Sequence, residues 1–264
     1  MKVLFDLLKI FIATSKMKIS RSMQYRIDFI TGLFVSFLLS FMGPLFQYLI
    51  FQKSSGYANW NTSQILLYQG IMVLWFGIKD SLFGETRSFI EQTCRSGQFD
   101  MLLLKPYPPI GIIFTRGYNY QSMPVIAVGL AIVVVSVIRM SLAITVRDCL
   151  VFVLFFLAGQ VFYMAIMVFY CSITVKIVYT FRLSEILDKF LVFSHFPTDI
   201  YTRGMRIVFF VIAPIALWIY FPAQTLLHRL NNFIFPSIFA SFAIFGLSLL
   251  IWKSTLKKYT SAGG

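Results

Sequence analysis

Between Asp148 and Lys176 the chain reads CLVFVLFFLAGQVFYMAIMVFYCSITV, residues 149–175, which is 27 residues without a formal charge. A helix needs about 20 mostly apolar residues to cross the ~30 Å hydrocarbon core of a bilayer. Five more uncharged stretches occur, at 29–52, 54–78, 117–138, 207–228 and 230–252, with 24, 25, 22, 22 and 23 residues. All are too long for barrel strands, and lipid offers no partner to a free backbone N–H or C=O, so each is expected to be helical. The fold class that follows is all-α: a polytopic membrane protein, one domain over 1–264. Six transmembrane helices are expected, at about 29–52, 62–84, 117–138, 149–175, 207–228 and 230–252.

Composition agrees with this. Hydrophobic residues make up 58% of the chain, 30 residues are Phe and only 12% are charged, which leaves no room for a second globular domain. The net charge of +13 is distributed by side. With the N-terminus in the cytoplasm, nineteen of the Lys and Arg residues fall before the first stretch, in 79–116, in 176–206 or after the last stretch. Only Lys53, Arg139, Arg147 and Arg229 fall on the other side. That bias places both termini in the cytoplasm of a cell-membrane protein, and topology with attraction to anionic lipid accounts for the basic charge without nucleic acid.

At the N-terminus, Val3, Leu4, Leu7, Leu8, Phe11 and Ile12 recur at helical spacing, with Lys2, Asp6, Lys9 and Ala13 on the other side. The pattern predicts an amphipathic interfacial helix over about 2–14, serving as a topological anchor or as a contact for a cytoplasmic partner. Asp6 and Lys9 interrupt the run, and it is not followed by a small-residue cleavage site, so it does not read as a cleavable signal. Cys94, Cys149 and Cys171 have no metal-type spacing and read as reduced thiols. Gly32, Ser36 and Ser40 make a small-xxx-small stripe leading to Pro44, and Ser237 and Ser241 a looser one; both predict faces that prefer protein to lipid.

None of the six stretches contains Asp, Glu, Lys or Arg. A gradient-driven carrier usually holds ionisable groups at mid-membrane, where each costs about 3 kcal/mol and is kept for function. Lys79 and Asp80, at the end of the second stretch, come nearest, and His195 and His228 stand alone. There are no paired carboxylates, HExxH, His/Cys cluster or GxxxxGK[ST] loop, so neither an intramembrane enzyme nor an ATPase is legible, and no metal site is expected. Any energy for uphill movement must enter through a partner. The loops at 79–116 and 176–206 are large enough to receive one.

In the first of these loops, Ser81 to Ser96 can continue as a polar helix and Gly97 supplies the left-handed residue that ends it. Asp100 could then N-cap Met101 to Leu104, and Pro106, Pro108 and Pro109 stop the second element. The product is a helix, a corner and an apolar knob, either packed on its own bundle or exposed for docking.

The run IEQTCRSGQFDMLLLKP, residues 90–106, is similar to the I-x-x-G-x-x-D-x-L-L-x-(R/K)-P segment of type-2 ABC transporter permeases. Gln24 to Phe29, Phe196 to Tyr201, Phe221 to Ala223 and Leu256 to Gly263 resemble further segments of the small six-span permeases that include viologen exporters, with Lys105 and Phe196 as modest departures. The resemblance covers nearly the whole length. It implies a coupling helix within 86–104, in the loop 85–116, that seats in a cytoplasmic ABC ATPase dimer. It also implies a second permease subunit, often a related but different chain, and ATP and Mg held by the ATPase, with no cofactor on this chain. Under it the docking contact comprises Phe99, Asp100, Leu103 and Leu104 beyond the Gly97 corner, with Arg87, Glu91 and Arg95 available for charge pairs or simply solvated.

Importer permeases carry an EAAxxxG loop ending in I-x-L-P. Glu91 to Gly97 keeps its Glu-to-Gly spacing, but the alanines are absent and Tyr107, Pro109 and Ile110 hold the later positions, so export is favoured. By family analogy Phe34, Phe37, Phe41 and Trp75 flank a path for a hydrophobic or amphipathic substrate; Phe also serves simply to face lipid. A channel or gradient-driven carrier is the alternative reading, and a membrane enzyme or scaffold the third.

Overall fold

The computed structural model describes residues 2–53, 57, 60–177, 180–230 and 233–260. Every regular element among them is helical. In chain order these are α1 (Lys2–Ser22), α2 (Arg26–Lys53), α3 (Thr62–Phe83), α4 (Thr86–Arg95), α5 (Phe99–Leu103) and α6 (Pro109–Thr115). There follow α7 (Met123–Arg139), α8 (Val146–Ile177), α9 (Phe181–Val192), α10 (Arg203–Ile207), α11 (Tyr220–Leu226) and α12 (Ile234–Lys257). Among the described residues five helical runs are long and apolar enough to cross a membrane: α2, Thr62–Arg95, Tyr120–Arg139, α8 and α12.

The expected fifth span is corrected. Residues 207–228 do not form one helix. Instead α10 passes into a wider π-turn over Val208–Ile212, the chain breaks at Ala213, a tight 3-10 turn covers Ile215–Leu217, and α11 follows. The break lies where Pro214 removes a donor and forces the residue before it out of the helical region, at φ −130° and ψ 81° for Ala213. The apolar stretch is therefore a hairpin. Arg206 near its start donates to the Asp199 carbonyl at 2.6 Å. At its tip Trp218 donates to the carbonyl of Gly159, midway along α8, at 3.1 Å. On its return His228 faces Asp148, at the first turn of α8, at 3.8 Å.

The segment that does run the length of the bundle is 180–200, expected to be loop. It begins where the Thr180 and Ser184 hydroxyls reach the Glu91 carboxylate at 3.3 and 3.2 Å. It ends where the Ser194 and Phe196 carbonyls share the single Tyr68 O–H, at 2.8 and 2.9 Å, and Trp60 donates to Asp199 at 2.9 Å. Glu91 lies beyond one end of α3, while Trp60 lies before the other.

Two helix pairs form the core. In the first, α3 and α7 touch almost backbone to backbone. A Cβ at Gly129 would lie 2.3 Å from the Leu74 amide nitrogen, one at Gly77 2.9 Å from that of Ile126, and one at Gly70 3.0 Å from that of Val133. Small residues permit this approach, which adds dispersion contacts where lipid supplies no hydrophobic drive. In the second pair, the Ser241 hydroxyl of α12 donates to the Ala158 carbonyl of α8 at 2.9 Å, while Ser237 of α12 ties that helix to the Phe210 carbonyl in the hairpin. Between the pairs Trp75 and Trp218 stack at 4.7 Å, with Phe162, Tyr163 and Phe190 around them. By contrast α2 leaves nearly all of its apolar surface outward, and Ser36 and Ser40 bond to carbonyls of their own helix. The N-terminal helix runs past residue 14 to Ser22, with Thr14 and Ser15 facing inward.

Candidate functional site

The 79–116 region forms an elbow at one end of the bundle. The joint between α3 and α4 is held by the strand of chain that follows α6. Glu85 N–H donates to the Gly117 carbonyl at 3.0 Å, and Asn119 N–H to that of Ser81 at 3.1 Å. Gly117 is required here, because a Cβ would lie 2.4 Å from the Thr86 Oγ1. From α1, the Lys18 ammonium reaches into the same joint. It bonds the Glu85 carboxylate at 2.5 Å and the Arg116 and Tyr118 carbonyls at 2.7 and 3.0 Å, which uses all three of its donors. Thr14 donates to the Thr115 carbonyl at 2.8 Å, so α1 and the elbow are tied at two adjacent points.

Along α4, Thr86, Ile90, Thr93 and Cys94 are buried, at the spacing of one helix face. The charged residues Arg87, Glu91 and Arg95, available for charge pairs or solvation, have partners within the chain. Arg87 donates to Asp188 of α9 at 2.8 Å. Glu91 accepts from the Tyr170 hydroxyl of α8 as well as from Thr180 and Ser184, forming a hub between three segments. Arg95 is half-exposed and lies 3.9 Å from Glu91. An open polar hollow of about 460 Å³, lined by Ser88, Glu91, Gln92, Arg95 and Ser96, lies along this face.

The corner is at Gly97, whose φ of +69° is the left-handed conformation expected of it. Beyond it, α5 divides its side chains sharply. Phe99 is 1% exposed, with its ring 5.0 Å from Tyr259 and 6.4 Å from Trp252 at the end of α12. Leu102 is buried beside it. Leu104 is 86% exposed, Met101 67% and Leu103 38%. Asp100 does not cap this helix. It lies in the first turn and bonds the Tyr259 hydroxyl; burial first, and this carboxylate second, push the Tyr259 pKa up to about 12. A buried phenol resists ionisation, more so beside a carboxylate.

The residues expected along a substrate path do not converge. Phe34, Phe37 and Phe41 stand on the outward face of α2, the last two with rings 5.1 Å apart. Trp75 is fully buried in the core stack against Trp218. Sequence reading missed the Tyr170–Glu91 hub and the Lys18 clamp, whose partners lie far apart in the chain. Ser261 to Gly263 of the C-terminal segment fall outside the described residues.

The class these features define is a polytopic helical membrane protein in which α3 bends into α4 and leads, through the Gly97 corner, to an apolar knob at one end of the bundle. Residues 35–263 match the family described as ABC-2 family transporter protein, and the chain belongs to that family. No curated protein and no solved structure matches it. Membership makes it a membrane transport subunit, a permease, of an ABC transporter that works with an ATPase partner; it is not itself catalytic.

Proposed function

We propose that this permease couples ATP hydrolysis by a separate cytoplasmic ATPase dimer to the export of a hydrophobic or amphipathic substrate across the cell membrane. The observation that carries the reading is the division of α5: Met101, Leu103 and Leu104 point away from the protein while Phe99 and Leu102 anchor the helix from behind. An exposed apolar knob on a rigid mount suits a partner groove. The Gly97 corner presents it, and α4 carries force from it to α8 and α9 through Glu91 and Arg87. Asp100 and Phe99 then serve as the mount, and Leu103 and Leu104 as the contact, with Arg95 beside them. ATP and Mg belong to the partner.

In this reading the elbow is cytoplasmic, both termini are cytoplasmic, and α1 lies in the interface. The fifth of six crossings is 180–200, and the hairpin 203–228 enters from the outer side. With Arg182 and Lys189 inside the crossing and Arg203 and Arg206 moved outward, fifteen Lys and Arg remain cytoplasmic against six outside, which still satisfies the positive-inside rule. A second, related permease chain completes the pore against the outward face of α2. The test is purification in mild detergent of the wild type beside Leu103→Asp/Leu104→Asp, with the ATPase activity of the eluate measured. We expect the wild type to bring down an ATPase that the folded variant loses. An unchanged ATPase in the variant, or a wild-type chain that transports alone in liposomes without ATP, would overturn the reading.

A further inference from the structure

Beneath α1 is an apolar groove of about 360 Å³, walled by α1, α3, α6, α8 and α12. Its wall residues include Leu4 and Leu8 of α1, Phe114, Met164, and Phe245 and Leu249 of α12. Thr115, the one polar residue in the lining, spends its hydroxyl on the Ile112 carbonyl at 2.7 Å, and its own carbonyl accepts from Thr14. The groove therefore offers a ligand no hydrogen bond. Nor is it closed by the protein: Leu4 and Leu8 are 67% and 53% exposed although they form its wall. The approach of α1 is set at Gly111, where a Cβ would lie 2.6 Å from Leu7 Cδ1. The helix is thus pinned close to α6 while its next face overhangs an unfilled cleft.

The cleft has a direction. It runs along α12 from Phe245, near the middle of that helix, past Leu249 toward the elbow end. One turn further, on the same helix face, Lys253 is exposed and makes no ion pair among the described residues. An apolar slot with a cation one helical turn beyond its last lining residue complements an amphiphile with a hydrocarbon tail and an anionic head. We propose that this groove holds one acyl chain of an anionic glycerophospholipid, with the lipid phosphate at Lys253. The tail buries Leu4 and Leu8 and fills the space between α1 and the bundle. The leaflet, but not the site, depends on the orientation proposed above.

The test is native mass spectrometry of the full chain, purified with any accompanying subunits, after equilibration with palmitoyl-oleoyl phosphatidylglycerol or with the phosphatidylcholine of the same chains. The wild type should retain one phosphatidylglycerol in preference to phosphatidylcholine. Lys253→Gln should lower that preference about fivefold, the worth of one lysine near an anionic surface, and leave phosphatidylcholine retention unchanged. Leu249→Trp should fill the slot and abolish retention of both. Leu8→Asn, at an exposed position that does not threaten folding, should weaken both. Undiminished retention in Leu249→Trp and Leu8→Asn overturns the groove as the site. Equal retention of the two lipids by the wild type overturns the assignment of the head group.

Discussion

Phe99→Ala and Leu104→Ala sit five residues apart on the same small element, and the structure expects opposite phenotypes from them. Phe99 is a buried wedge between Trp252 and Tyr259, so its truncation forfeits the transfer of a benzyl group and leaves a cavity. Such a change costs about 3–5 kcal/mol, toward the lower end here because α5 lies at the bundle's end and can partly collapse. In a chain of this size each kcal/mol moves the melting midpoint by about 2–4 °C, so a loss of roughly 6–12 °C is expected. Leu104 is 86% exposed, and its truncation should shift stability by no more than about 0.5 kcal/mol. Thermal melts in detergent at one scan rate, followed by binding of the purified ATPase partner, separate the two effects. Leu104→Ala should melt like the wild type and bind the partner more weakly. If instead Phe99→Ala melts like the wild type, or Leu104→Ala lowers the midpoint as much, the assignment of inner and outer faces to α5 is wrong.

Gly129→Leu forces a side chain into the Leu74 backbone, and overpacking of about 3 kcal/mol or more should appear as loss of monodisperse protein on size-exclusion chromatography, whereas Gly246→Leu, which meets open space, should be silent. Lys18→Met leaves Glu85 and two carbonyls without their shared donor, so a destabilisation of about 1–3 kcal/mol is expected, together with faster proteolysis of the α1 region; Lys18→Arg should recover part of it. For Tyr259 the folded pKa is raised from 10 to about 12, so the neutral hydroxyl's contribution is complete below pH 10 and is lost as pH rises through about 12. Protease sensitivity of the C-terminus should rise across that window in the wild type and be insensitive to it in Tyr259→Phe.

The apolar runs at 29–52, 62–84, 117–138, 149–175 and 230–252 were legible because length and absence of charge suffice for a helix in lipid. The corner at Gly97 was legible for a similarly local reason, since one residue's φ decides it. What failed was nonlocal. Charge was read as a marker of loop in 176–206, yet Asp188 is neutralised by Arg87, 101 residues away, and the helix carrying it lies along the bundle. Conversely 207–228 is as apolar as a span, and only the hairpin geometry around Pro214, seated by Gly159 and Trp75, shows that it turns back. The knob at 101–104 was visible, but so short a run cannot declare which side faces home without Trp252 and Tyr259 in view. The close packing at Gly70, Gly77 and Gly129 went unread because those glycines lie on two helices whose pairing the sequence does not state.

The hairpin tipped by Trp218 has a consequence for how the protein is made. Residues 207–228 are greasy enough to be threaded through the bilayer, and in the topology proposed above doing so would reverse the last helix and carry its lysines to the opposite face. The seat of this indole is shared between two helices, the Gly159 carbonyl from α8 and the Trp75 ring from α3, so it is complete only where α3 and α8 are packed together. A seat built by two other helices, and not apolar length alone, decides where this piece of chain comes to rest.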